Sequence, residues 1–401
     1  MVSSRERRSP ASRLGPKRRL SILGVSLALL TVSCADPAEE SAAGNFYAVP
    51  RTFPGDAPGT IVRSEAMDPP SSSSLAWRIM YSSSNDAGDP IVVTGMVIAP
   101  TGIPPANGRP VVAWAHPTTG IDDSCAPSKQ AEPFDSIMGL QEFLSKGWVV
   151  VATDYEGLGT DGEHPYLIGA SEARSVIDSV RAAHALDGTN ASTRFGVFGH
   201  SQGGHAALFT GQLAATQAPD LTLVGAVAAA PSGDLHEQFE LSQNTEAYSY
   251  VGSYMVGSWS DLYDARLPTA VTPDAVGTVE RLATECVVGG SKDADERLER
   301  IFDTDSTVTP SLWVDGFTNG DPWRSILETN SPGAEPIPVP TLITQGTSDK
   351  VIPASTTAQL ATRLRSSGST VTEQVLPGVP HTLAGEKSVP FAVEFFTDRF
   401  N

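Results

Sequence analysis

Residues Arg194–Gly204 read RFGVFGHSQGG, and this stretch decides the fold. A short apolar run, RFGVF, meets Gly199-His200-Ser201-Gln202-Gly203, and an apolar run, AALFTGQLAA, follows. Gly-x-Ser-x-Gly between a strand and a helix is a nucleophile elbow. The turn holds the serine in a strained backbone conformation at the carboxyl edge of a sheet. The flanking glycines keep neighbouring Cβ atoms away, and the new helix aims its first N–H groups at a developing oxyanion.

The surrounding sequence supplies the sheet. Trp77–Ser82 and Pro90–Ala99 are β-rich and come early, as an antiparallel start. Pro110–Ala115, Trp148–Ala152, Arg194–Phe198, Leu221–Ala228 and Pro340–Thr344 are short continuous apolar runs, the pattern of strands buried on both faces of a parallel sheet. Helical patterns lie between them. The clearest is Ser171–Leu186, with Ser171 as cap, Glu172 in the first turn, and Ala173, Val176, Ile177, Val180 and Ala183 on one stripe before Gly188. Alternating strands and helices predict an α/β fold. The alternation stops near Ser232. Residues 232–335 hold no strong apolar strand but ten aromatic residues, which predicts a mainly helical cap inserted over the sheet. Within it, Tyr248–Trp259 (YSYVGSYMVGSW) reads equally as a mobile lid or a packed helix. The core then falls at 47–231 and 336–401.

A nucleophilic serine needs a base and an acid, in the chain order serine, acid, histidine. Asp349 is the only carboxylate between Glu335 and Glu373 and follows the PTLIT run. His381 is the only histidine beyond it. The triad expected is Ser201, Asp349 and His381. The oxyanion donors expected are the backbone N–H of Gln202 and one from the His116-Pro117-Thr118-Thr119-Gly120 loop. Pro117 has no N–H, which favours Thr118, with Thr119 next.

Gly157-Leu158-Gly159-Thr160-Asp161-Gly162 matches a dinucleotide-binding pattern after the strand WVVVATD. That site requires a helix to open within the motif, and here none is expected before about residue 171. The loop is expected instead to wall the active-site cleft.

Composition bounds the partners. The chain has 401 residues, is 40% hydrophobic, and carries a net charge of −19. Residues 1–33 contain seven basic side chains and one acid; beyond them, 20 basic face 45 acidic side chains, a net of −25. Nucleic acid is excluded as a partner, since phosphate contacts need clustered Lys and Arg. The basic leader and the uncharged run Leu20–Ser33 read as a signal peptide. Leu30-Thr31-Val32-Ser33-Cys34 resembles a lipoprotein box, making Cys34 a lipidation candidate and possible membrane tether; cleavage after Ala35 is the alternative. Residues 34–46 then form a flexible tether. Cys125 and Cys286 remain, a disulfide candidate in an exported protein or else two buried thiols. Three Cys and seven scattered His offer no metal-ligand spacing. Nothing in the sequence sets the oligomeric state.

The chain resembles the α/β-hydrolase superfamily, and within it the secreted lipase family of fungal secretory lipases and their actinobacterial relatives. The residues that carry the resemblance are AHPTTG (115–120), DYEGLGTDGEHPYLIG (154–169), GHSQGG (199–204), GTSDKVIP (346–353) and PHT (380–382). It implies triacylglycerol lipase or carboxylesterase activity on a small-molecule or lipid ester, no cofactor, and a cap between the sixth and seventh strands. The HPTTG loop departs from the commoner His-Gly form. A serine peptidase of the same fold is the second reading; aminopeptidase specificity would need an acidic or amide clamp for the substrate amine, which Glu156 and Asp161 could supply, although surface solvation is the expected role of both. A non-catalytic surface binding protein is the third.

Overall fold

The elbow strand lies inside a nine-stranded sheet of order β1-β2-β3-β5-β4-β6-β7-β8-β9. The structure is a computed structural model that describes residues 46–53, 57–289 and 292–400. The strands are β1 (Ile61–Met67), β2 (Ser74–Ser84), β3 (Pro90–Pro100), β4 (Arg109–Ala115), β5 (Val149–Thr153), β6 (Ala191–His200), β7 (Thr222–Ala229), β8 (Thr341–Gly346) and β9 (Val371–Leu376). The pairs β1–β2, β2–β3 and β3–β5 are antiparallel. From β5 through β4, β6, β7 and β8 to β9 every pair is parallel. Strand β1 was not legible in the sequence. Its IVRSEAM is half-buried to exposed, so it lacks the apolar run that marks the interior strands.

The helices are α1 (Leu140–Ser145), α2 (Gly169–Ala185), α3 (Gln202–Gln217), α4 (Leu235–Ser242), α5 (Glu246–Leu262), α6 (Val276–Ala283), α7 (Lys292–Phe302), α8 (Trp323–Thr329), α9 (Ala354–Ser366) and α10 (His381–Phe400). One sheet face packs on α2 and α3 through Val176, Ile177, Val180, Ala206 and Ala207. The other packs on α1 and α10 through Phe143, Phe395 and Phe396. Burial on both faces explains the continuous apolar strands β4 and β5.

Helix α2 starts two residues before its expected cap. Ile168 stands at the N-cap without a side-chain bond, and Ser171, inside the helix, donates its hydroxyl to the Glu156 carboxylate instead. The predicted apolar stripe is buried throughout.

Between β7 and β8 the chain leaves the sheet for α4–α8. With β1 added, this crossover is the one expected between the sixth and seventh strands. It has its own apolar core, in which Phe239, Tyr254, Trp259, Trp313 and Trp323 are buried. The stretch Tyr248–Trp259 is a packed helix, part of α5: Tyr254, Val256 and Trp259 are almost completely buried. Tyr263, just past the end of α5, is 39% exposed. The disulfide is present: Cys125 pairs with Cys286, closing a sequence separation of 161 and tying the loop after β4 to the inserted segment. The signal peptide, Cys34 and the tether to residue 45 lie outside the described residues.

Candidate active site

The elbow forms at the end of β6. Ser201 stands between strand and helix with φ 56° and ψ −117°, a conformation that costs an L-residue of order 1–3 kcal/mol and persists only when the surroundings impose it. The glycines permit it by leaving room for the tight turn. A Cβ on Gly199 would sit 2.0 Å from the Gly203 carbonyl oxygen, and one on Gly203 would sit 1.9 Å from that of Ala115. The Ser201 N–H donates to the Ala229 carbonyl at 2.9 Å, and the His205 N–H donates to the Ser201 carbonyl at 3.0 Å, starting α3.

The turn after β8 carries Asp349, and α10 opens on His381. Three segments far apart in sequence converge. His381 Nε2 lies 3.0 Å from Ser201 Oγ, and His381 Nδ1 lies 2.8 Å from Asp349 Oδ2. Asp349 Oδ1 accepts from the N–H groups of Val351 and Ile352 at 2.9 and 2.8 Å, and Oδ2 also accepts from Gln345 Nε2 at 3.1 Å. Burial alone would push the Asp349 carboxyl up. The positive charge and hydrogen bond of His381, with the two backbone N–H groups, outweigh it and hold the carboxyl below its ordinary value. Burial next to His381 pushes the neighbouring His200 down to about 3, so His200 is neutral. At the start of α10, the Thr382 N–H donates to Asp303 Oδ1 at 3.2 Å, and the Thr382 hydroxyl donates to the same carboxylate.

A cavity of about 1110 Å³ opens over Ser201 and His381. Pro117, Thr118 and Thr119 line it beside the serine. Gln202, at the first turn of α3, is buried. Tyr248, Val251, Val287, Leu298 and Phe302 of the inserted segment supply an apolar wall, completed by Val351 and Ile352. One expectation fails here. Among the described residues, none of the Gly157–Gly162 loop lines the cavity; that segment contributes Tyr166, four residues further on. Glu156 and Asp161 do not line it either, so neither is placed to clamp a substrate amine. Glu156 turns away to Ser171, and burial pushes its carboxyl up.

A buried pair behind Gln202 was missed in the sequence. Glu172, read only as a first-turn helix residue, is 1% exposed. Its Oε2 lies 2.6 Å from His205 Nδ1, and its Oε1 accepts from Gln202 Nε2 at 3.0 Å. His205 Nε2 faces the Asn330 carbonyl at 2.7 Å. The pair therefore holds two protons, one between His205 and Glu172 and one directed at Asn330. A sequence signal existed: an acid in a helix and a histidine just past the elbow both invite a partner, but their proximity is set by how α2 and α3 pack.

A mostly parallel sheet flanked by helices, with a serine at a strained strand-to-helix turn, defines an α/β-hydrolase. The secretory lipase family model matches residues 132–401, and the chain belongs to that family. It is 26% identical over 385 residues to a probable inactive lipase of Mycobacterium tuberculosis, covering 88% of this chain and 81% of that protein. It is 25% identical over 391 residues to Lipase A of Arthroderma benhamiae, covering 89% and 79%. Its fold is similar to that of Candida antarctica lipase A in the closed state, with a TM-score of 0.74 at 15% identity, over 90% of this chain and 86% of that one.

Proposed function

We propose that this protein is an exported serine ester hydrolase that works through an acyl-enzyme intermediate. One observation carries the reading: Ser201, His381 and Asp349 form an unbroken hydrogen-bonded series with the serine facing a cavity. Ser201 Oγ attacks the ester carbonyl carbon as its proton passes to His381 Nε2. Asp349 steadies the imidazolium. The backbone N–H groups of Gln202 and Thr118 receive the oxyanion. The tetrahedral intermediate expels the alcohol, which takes the proton from His381. Water then attacks the acyl-enzyme by the same route and releases the acid.

The apolar wall from the inserted segment suits an acyl chain, with residues 232–335 acting as the cap that shapes it. It supports an ester with an apolar acyl group, while Glu132, Asp135, Glu142, Asp295, Glu299 and Glu386, which also line the cavity, leave the peptidase reading to be tested. A relative described as a probable inactive lipase keeps the non-catalytic reading in view; against it stands the complete triad. Export rests on the leader, the disulfide and a family described as secretory. Lipid on Cys34 would hold the acidic body at a membrane; a mature protein starting after Ala35 would remove that tether.

A fluorophosphonate probe tests the nucleophile. Ser201 is labelled in the folded protein, and the Ser201→Ala variant is not. No label on folded wild-type protein ends the hydrolase reading. Rates on p-nitrophenyl esters of increasing chain length, on emulsified triacylglycerol and on aminoacyl anilides then separate lipase, esterase and peptidase.

A further inference from the structure

Building on that hydrolase reading, we propose that one short stretch, His164–Tyr166, holds both arms of the oxyanion hole in register with Ser201, making His164 and Tyr166 positioning residues. The first arm is the loop of Thr118. Its Oγ1 lies 2.7 Å from the Tyr166 hydroxyl. Burial pushes the Tyr166 phenol up, so the hydroxyl keeps its proton. The second arm is Gln202. Its side-chain amide donates to His164 Nε2 at 3.2 Å. His164 can accept there because Nδ1 faces the Glu156 carbonyl at 2.7 Å, which fixes the proton on Nδ1. Burial pushes His164 down to about 4, in keeping with that neutral ring.

The two grips are two residues apart, and the Tyr166 N–H donates to the His164 carbonyl at 2.8 Å. The distance between the arms is therefore set by one backbone turn rather than by two independent loops. The inserted segment holds this turn from the other side. On α5, Ser258 Oγ donates to the His164 carbonyl at 2.6 Å and accepts from the Tyr166 N–H at 3.1 Å. Trp259 Nε1 donates to the Tyr166 carbonyl at 2.8 Å. His164, Tyr166 and Gln202 are each 1% exposed, so these bonds do not compete with bulk water. Oxyanion donors work only when held within about half an ångström of the transition-state oxygen. The side chains of Thr118 and Gln202 fasten the backbone whose N–H groups do this.

Two double-mutant cycles in the full chain test the proposal: Tyr166→Phe with Thr118→Val, and His164→Phe with Gln202→Met. Both partners in each cycle keep their backbone N–H. The readouts are kcat and KM on p-nitrophenyl butyrate, and the inhibition constant of a butyl trifluoromethyl ketone, whose serine adduct carries the oxyanion. Each single change is expected to lower kcat about 10- to 100-fold with KM within about twofold. The ketone weakens by the same factor, and each double variant is no worse than its worse single. Independent, multiplying losses in either cycle overturn the proposal. So does a loss that appears in KM and thermal stability while the ratio of ketone to substrate affinity stays constant, the mark of a merely structural role. If His164→Phe does not fold, Gln202→Met alone reads that arm by the same ratio. Failure of the hydrolase reading looks different: Ser201→Ala would then hydrolyse as fast as the parent.

Discussion

The Ser201 backbone links sequence to chemistry most directly. Its strained conformation predicts an inverted stability order. At a position with φ of 56°, Ser201→Gly should be more stable than Ser201→Ala by about 1 kcal/mol, because glycine adopts that φ without a Cβ penalty. Urea titration of the two inactive variants checks this, and equal midpoints would show that the turn is not strained. The triad makes a second prediction at this scale. Ser201→Ala or His381→Ala should lower kcat by about 10⁵–10⁶, towards what binding and the oxyanion donors leave. Asp349→Asn should cost less, about 10⁴, since the imidazole stays in place but loses its fixed tautomer. Wild-type turnover in Asp349→Asn would mean that another acid orients His381.

At the scale of elements, the loop after β4 and the inserted segment behave as one unit. Cys125–Cys286 joins them covalently, and the Val287 N–H donates to the Thr119 carbonyl at 2.8 Å one residue past the bridge. Removing the bridge by Cys125→Ser with Cys286→Ser should cost about 2–4 kcal/mol, from the chain entropy regained by the unfolded state. Thermal unfolding with and without reductant measures it; an unchanged midpoint would refute the contribution. Much of this scale was readable. The β-rich and apolar runs marked β2 to β8, and the aromatic stretch marked the insertion. The half-exposed β1 and the early start of α2 were not, because edge strands and uncapped helix ends carry no strong local pattern.

At the scale of the whole molecule, buried histidines set an acid limit. His164 and His200 are pushed down to about 4 and about 3 by burial. The unfolded chain therefore takes up their protons near pH 6.5 while the folded chain does not. Stability should fall as pH drops from about 6.5 towards 4, by about 1.4 kcal/mol per pH unit for each histidine. Asp349, held below its ordinary value, adds a loss only below about pH 4, where the unfolded carboxylate takes up a proton that the folded one still resists. Urea midpoints at pH 7, 6 and 5 test the first window, and a flat profile there would show that these rings take up protons without unfolding.

The sequence by itself determined most of the sheet and the elbow, and it singled out Ser201, Asp349 and His381 as the candidate triad. Those features are written in local patterns: apolar runs, glycines around a serine, and an acid and a histidine in a fixed order. Tertiary structure alone decided what surrounds them. The pairing of Glu172 with His205, the grip of Tyr166 on Thr118 and of His164 on Gln202, and the removal of Glu156 from the cavity all depend on how α2, α3 and α5 pack. Each joins groups whose separation in the chain says nothing about their distance in space. A polar residue in a helix reads the same whether it will face water or a buried partner. Only close packing, which leaves a buried donor no water to turn to, settles which it is.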